Sequence, residues 1–270
     1  MIVLDNGELS IELLDPRADH ERFGTRYCTG GYIYQIVDAR HGPLLSGPTY
    51  PDSFNWFDGQ GIPDAFNLSP LNSTETPGDA LIVGIGICNP GERIVHEFCD
   101  WTIDHGDGEI AFATEHRYEG FALTVQRTVQ LRGRTVRSHT EIKNTGTKPA
   151  PLRWFPHPFF PQPDSDELLW INAPLTWRDA TGYARRDNGF IARTGWPWHE
   201  GHYLPLDHDA IAPLVLVQRH PLLGLVTAAC SYAPDFFPIW GNGITFSWEP
   251  FLERTVAPGQ LYAWWIDYTF

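Results

Sequence analysis

The stretch Ala122 to Gly146, "ALTVQRTVQLRGRTVRSHTEIKNTG", decides the fold class. Leu123, Val125, Val129 and Leu131 alternate with Thr124, Gln126, Thr128 and Gln130. That period of two puts one set on each face of a β-strand. The short "RGR" at Arg132 to Arg134 reverses the chain into a second run, in which Val136, Ser138, Thr140 and Ile142 share a face, so the pair reads as a β-hairpin. "NTGTKP", Asn144 to Pro149, supplies the Gly and Pro of another reversal.

Similar short runs occupy Leu9 to Leu14, Tyr32 to Asp38, Ile110 to His116, Leu168 to Asn172, Leu214 to His220 and Ile244 to Trp248. The last segment, "QLYAWWIDYTF", places Tyr262, Trp264, Ile266, Tyr268 and Phe270 on one face, which pins this end into a sheet. Helical periodicity is scarce. Parallel sheets need helical crossovers, so the pattern predicts an all-β antiparallel sandwich or barrel. Gly42 to Asn89, with "SGPTYPDSFNWFDGQGIPDAFNLSPLNSTETPGD", is dense in turn formers and aromatics and reads as long loops that could wall a ligand site. No repeat divides the chain, and residues 1–270 read as one domain.

A hydrophobic share of 42% with 14% aromatics supplies a large core. The net charge of −14 argues against a nucleic-acid partner, whose phosphates would need a Lys/Arg stripe, and a neutral small molecule fits better. The start, "MIVLDNGELSIELL", carries acids where a secretory signal needs a basic end and an apolar run, so the protein reads as cytoplasmic. No apolar run approaches the length that crosses a bilayer, and no membrane role is expected. Cys28, Cys88, Cys99 and Cys230 are scattered and read as reduced structural thiols.

Metal, nucleotide and triad chemistry find no support. "WHEGHYLPLDHD", Trp198 to Asp209, holds three histidines, but its spacing is not H-E-x-x-H, and Gly201 and Pro205 exclude the helix a zincin needs. It reads as a solvated loop. No G-x-S-x-G elbow, P-loop or G-x-G-x-x-G turn occurs.

Two segments carry titratable groups in settings that suit acid–base work. In "RWFPHPFF", Arg153 to Phe160, His157 stands between two prolines. Proline fixes its own φ and restricts the residue before it, so the imidazole is held in direction. Glu249 follows a strand-like run, beside Trp248 and before Pro250, where apolar neighbours would raise a carboxyl toward neutrality.

"HPFF" at His157 to Phe160 and "EPF…VAPGQ" at Glu249 to Gln260 together resemble the paired signatures of the galactose mutarotase-like superfamily, and specifically the aldose 1-epimerases. There a histidine in an H-P-Y-F-like motif follows an "N-x-G" turn, as Asn144 to Gly146 do here. The glutamate lies in E-P-W/F, ahead of an "L-x-P-G-E" turn into the last strand. The pattern spans roughly Gly108 to Phe270, in matching order. "RYCTGGYIYQI", Arg26 to Ile36, and "GIPDAFN", Gly61 to Asn67, resemble a little-characterised branch of the same superfamily.

The resemblance implies a large antiparallel β-supersandwich with an open sugar-binding cleft, no cofactor, and anomer interconversion with His157 as acid and Glu249 as base. Arg153, Trp154, Trp240, Arg26 and His96 are the candidate sugar contacts, with the Trp196/Trp198 pair also aromatic candidates. His96 marks a departure: the family's upstream "N-R" and "L-H-G" are replaced by "RIVHEFCDW". The same fold hosts lyases and glycoside-cleaving enzymes, and a pocket of this kind can also serve a non-catalytic sugar-binding or sensor domain.

Overall fold

The alternation of Ala122 to Asn144 appears in the computed structural model as two long strands, Phe121–Arg132 and Thr135–Asn144, paired in register with Val129 opposite Ser138 and Leu131 opposite Val136. The structure describes residues 1–177 and 182–270. Among these, the hairpin lies inside a ten-stranded antiparallel sheet. Its spatial order is Thr102–Gly106, Glu109–Tyr118, Phe121–Arg132, Thr135–Asn144, Leu261–Thr269, Gly224–Cys230, Val215–His220, Glu167–Ile171, Ile191–Arg193 and Tyr183–Arg185. The C-terminal strand sits in the middle because Trp264, Ile266 and Tyr268 turn one apolar face inward while Ala263, Trp265 and Asp267 face out.

A second layer packs on that face. Its five-stranded sheet runs Phe160–Pro161, Thr245–Trp248, Phe237–Gly241, His202–His208 and Leu175–Thr176, and a three-stranded sheet runs Leu252–Val256, Ala150–Pro156 and Asp64–Ala65. Trp248 from this layer stacks on Tyr268 of the large sheet at 5.8 Å, and its indole N–H donates to Gln218 Oε1 at 2.7 Å. Trp154 meets Trp264 edge-on at 5.2 Å. These fully buried rings are the centre of a β-supersandwich core. Two four-stranded sheets flank it, built from Ile2–Asp5, Leu9–Leu13, Ile33–Asp38 and Gly42–Pro43, and from Leu71–Asn72, Ala80–Ile82, Gly86–Asn89 and Ile94–Phe98.

Two segments differ from the sequence reading. Gly42 to Asn89 is not loop throughout, since several two- to four-residue strands interrupt it, too short to show a period. The "WHEGHYLPLDHD" segment is not a solvated loop: His202–His208 is a strand paired with Phe237–Gly241, and Leu204 and Leu206 supply its buried face. All four cysteines are free, with Cys28, Cys88 and Cys230 buried. Among the described residues no helix is long and apolar enough to cross a membrane.

Gly61 anchors the layer that carries the site. Its φ of +77° lies in the left-handed region, and a Cβ there would stand 2.3 Å from the carbonyl oxygens of Ile33 and Tyr34. Its own amide donates to Ser46 and its carbonyl accepts from Phe159. Gly61→Ala is expected to cost about 1–3 kcal/mol, from overpacking and the disfavoured φ, as read by a lowered thermal midpoint. An unchanged midpoint would contradict this.

Candidate functional site

The strand Ala150–Pro156 delivers His157 to the end of the three-stranded sheet, where the two prolines and three backbone hydrogen bonds fix the segment. The His157 amide donates to the Pro63 carbonyl at 2.8 Å, the Phe159 amide to Gly61 at 2.7 Å, and the Ser46 amide to Phe159 at 2.9 Å. Phe159, two residues on and so on the same side, stacks on the imidazole at 4.2 Å.

Glu249 arrives from the neighbouring sheet. Along Thr245–Trp248 the alternation sends Trp248 into the core and turns Ser247 and Glu249 to the side where His157 lies. The Glu249 amide donates to Pro238 at 3.0 Å. As a result His157 Nε2 stands 3.3 Å from Glu249 Oε1, and His157 Nδ1 stands 3.0 Å from Ser247 Oγ.

The pair borders a cavity of about 290 Å³ lined by Arg26, Pro48, Asp58, His157, Phe159, Tyr203, Trp240 and Glu249. Tyr203 and Trp240 sit opposite each other in the register of neighbouring strands, and Trp240 in turn opposes Ser247. Trp240 meets the imidazole edge-on at 6.2 Å, and Tyr27 at 6.3 Å from another side. Arg26 donates to the Phe57 carbonyl at 2.8 Å and lies over the Tyr27 and Phe57 rings, each 5.0 Å away. The volume lies near the lower end of the roughly 300–1,000 Å³ typical of small-molecule sites, which suits one small polar ligand between aromatic walls.

Burial sets the protonation of the pair. His157 is 5% exposed and Glu249 7%. Desolvation pushes the Glu249 carboxyl up to about 8, with Arg26 acting in the opposite sense. Desolvation also pushes His157 well below its usual range, and the Arg26 charge adds to it. Near neutrality the two groups therefore hold one proton between them.

The structure brings His157, Glu249, Trp240 and Arg26 together at this cavity and leaves Arg153, Trp154 and His96 elsewhere. Trp154 corrects the sequence reading most clearly: alternation along Ala150–Pro156 turns it into the core against Trp264 and Tyr232, and it is 2% exposed. Arg153 points the other way, forms an ion pair with Glu253 at 3.0 Å and lies over Phe251, and it does not line the cavity. His96 sits on the strand Ile94–Phe98 and contacts Asp79 Oδ1 at 3.1 Å. Trp198 packs beside a separate cavity of about 500 Å³ with His199, Glu200 and His202. Among the described residues no group of three or more His, Cys, Asp or Glu side chains is arranged to hold a metal ion.

Sequence reasoning missed Asp58, Tyr203 and Ser247. Tyr203 was readable from Leu204 and Leu206, which alternate with Tyr203, Pro205 and Asp207. Ser247 was readable as the residue two before Glu249. Asp58 carries no local signal, because a turn in which Asn55 Oδ1 accepts the amides of Phe57 and Asp58 brings it to the cavity.

The fold is a galactose mutarotase-like β-supersandwich, and a buried His–Glu pair stands in its aromatic-walled cleft. Solved structures of that fold align along nearly the whole chain. A galactose mutarotase related enzyme from Lactobacillus acidophilus superposes with a TM-score of 0.65 at 12% identity, over 99% of this chain and 96% of its own. A galactose mutarotase-like protein from Clostridium acetobutylicum gives 0.56 at 12% identity, covering 98% and 93%. An aldose epimerase homologue from C. elegans gives 0.53 at 12% identity, covering 99% and 97%. No family model and no curated protein sequence matches the chain. Likeness at these identities shows the fold.

Proposed function

We propose that the chain works as one domain, a cytoplasmic enzyme of the aldose 1-epimerase type that interconverts the anomers of a small sugar with His157 and Glu249 and without a cofactor. The observation that carries the reading is the 3.3 Å between His157 Nε2 and Glu249 Oε1 at the wall of a one-ligand cavity. In a cyclic aldose the ring oxygen and the anomeric hydroxyl are bonded to the same carbon. An acid for one and a base for the other must therefore stand side by side.

The chemistry follows from that pairing. The one-proton pair has a form with imidazolium beside carboxylate, which a bound anomeric hydroxyl favours by donating to Glu249. His157 Nε2 gives its proton to the ring oxygen as the C1–O5 bond breaks. Glu249 takes the hydroxyl proton, and the electrons of that O–H bond complete the C1 carbonyl. Rotation about C1–C2 turns the carbonyl, and the reverse transfers close the ring on its other face, returning both protons. Trp240 and Tyr203 suit the apolar face of a pyranose, and Arg26 and Asp58 suit its hydroxyls.

The pH dependence has a definite sign. Glu249 is raised to about 8, so the pair keeps its last proton up to that pH and loses it above. The kcat/KM for anomer exchange is expected to hold through neutrality and fall above about pH 8. An acid limb appears where His157 gains a second proton, well below the ordinary imidazole range. A profile that rises through pH 8 would contradict the assignment.

Methyl glycosides separate this reading from glycoside cleavage. They cannot open to an aldehyde, so each methyl pyranoside is expected to compete with the free sugar and remain intact by NMR. Release of methanol would overturn the epimerase reading in favour of hydrolysis.

A further inference from the structure

Ser247 is fully buried, and among the described residues its hydroxyl has one polar neighbour, Nδ1 of His157 at 3.0 Å. The other ring nitrogen faces Glu249. A neutral imidazole carries one N–H, and the nitrogen that carries it is set by what the other one meets. Proton exchange with a sugar has to run through the nitrogen beside Glu249, which is bare after it has given its proton and protonated before. Nδ1 keeps its hydrogen in both states, so a buried acceptor has to stand behind it throughout.

We infer that Ser247 is a positioning residue, accepting a hydrogen bond from Nδ1–H of His157 so that Nε2 is the nitrogen that trades a proton with Glu249 and the sugar; the inference rests on the anomer-exchange reading above. Stacking on Phe159 and the edge contact with Trp240 fix the plane of the ring. They do not distinguish its two edges, and a half-turn about Cβ–Cγ, which leaves that plane unchanged, is what the Ser247 contact blocks. A hydroxyl also suits the task better than a carboxylate, which would hold the proton on the ring and weaken the acid.

The charged and titratable groups around the imidazole come from four further segments. Glu249 faces Nε2, Arg26 and Tyr27 approach from the segment before Cys28, Asp58 comes from its turn, and Tyr203 from the strand His202–His208. Among the described residues Ser247 is the one hydrogen-bond partner of Nδ1.

The test reads the proton directly. In protein labelled with ¹⁵N-histidine, with His157→Asn used to identify the resonances, His157 is expected in the Nδ1–H tautomer at neutral pH, and Ser247→Ala moves it toward Nε2–H. In exchange kinetics Ser247→Ala lowers kcat on the order of ten- to a hundredfold with KM little changed, and shifts the acid limb to lower pH. Ser247→Thr, which keeps the hydroxyl, restores most of the rate. A wild-type Nε2–H tautomer overturns the inference, as does a Ser247→Ala enzyme with unchanged tautomer and rate. If Ser247→Ala does not fold, the wild-type tautomer decides. If no sugar is turned over, the epimerase reading fails while the ¹⁵N spectrum still settles where the proton sits.

Discussion

His157→Asn and Glu249→Gln are each expected to lower enzymatic anomer exchange by about a hundred- to ten-thousand-fold, the usual contribution of a positioned acid or base. Glu249→Gln keeps the shape of the side chain, and His157→Asn puts a smaller planar polar group where the ring stood, so sugar binding is expected to survive in both. The two losses are not additive. One proton circulates between the groups, so removing either stops the cycle and the double variant falls little below the singles. Glu249→Gln carries an extra signature: with the carboxyl that titrates near 8 gone, residual activity loses its alkaline limb. Near wild-type exchange in either variant, with the fold intact by circular dichroism, would remove that residue from the mechanism.

The second large effect concerns stability. Arg127, on the strand Phe121–Arg132 of the ten-stranded sheet, makes a two-pronged ion pair with Asp64, and the two side chains are 1% and 7% exposed. Asp64 sits on the short strand opposite Pro156, one residue from the Pro63 carbonyl that holds the His157 amide. The pair thus ties the large sheet to the backbone beneath the site. Desolvation pushes the Asp64 carboxyl up even beside the arginine, which shows how much of its hydration burial removes. Asp64→Asn leaves the guanidinium buried without a counter-charge. The expected loss is about 3–5 kcal/mol, measured by denaturant unfolding, or a fall in thermal midpoint on the order of 10 °C for a chain of this size. Replacing both partners by leucine and methionine is expected to recover much of the loss, because the uncompensated charge is then gone. A single-variant change under about 1 kcal/mol would show the pair to be solvated, by the scale set for exposed pairs.

The fold was legible where strands are long enough to show a period. Phe121–Arg132, Thr135–Asn144 and Leu261–Thr269 run nine residues or more, each with one face buried, and their alternation is plain in the sequence. It was illegible where strands are two to four residues long, as between Gly42 and Asn89, because no period fits in so short a run. The segment His202–His208 hid a strand behind histidines and a proline that look like turn formers, although Leu204 and Leu206 marked its inner face.

The site shows the same division. His157 and Glu249 announce themselves through the prolines beside them and the aromatic runs around them. Proximity along the chain misleads for Trp154, because a strand throws successive side chains to opposite faces and Trp154 turns into the core; Arg153 has the parity of His157 but is taken up by Glu253, directly opposite on the paired strand. Asp58 reaches the cavity through tertiary folding of a segment more than ninety residues away from His157, and its distance along the chain gives no hint of contact.

The most direct test of the account is NMR magnetisation transfer between the α and β anomers of a panel of free aldoses, with and without the protein at neutral pH. Exchange above the spontaneous rate is expected for at least one sugar, lost in both His157→Asn and Glu249→Gln. Exchange at the spontaneous rate for every sugar in the panel would contradict it and leave the cleft a binding site or the seat of a different reaction.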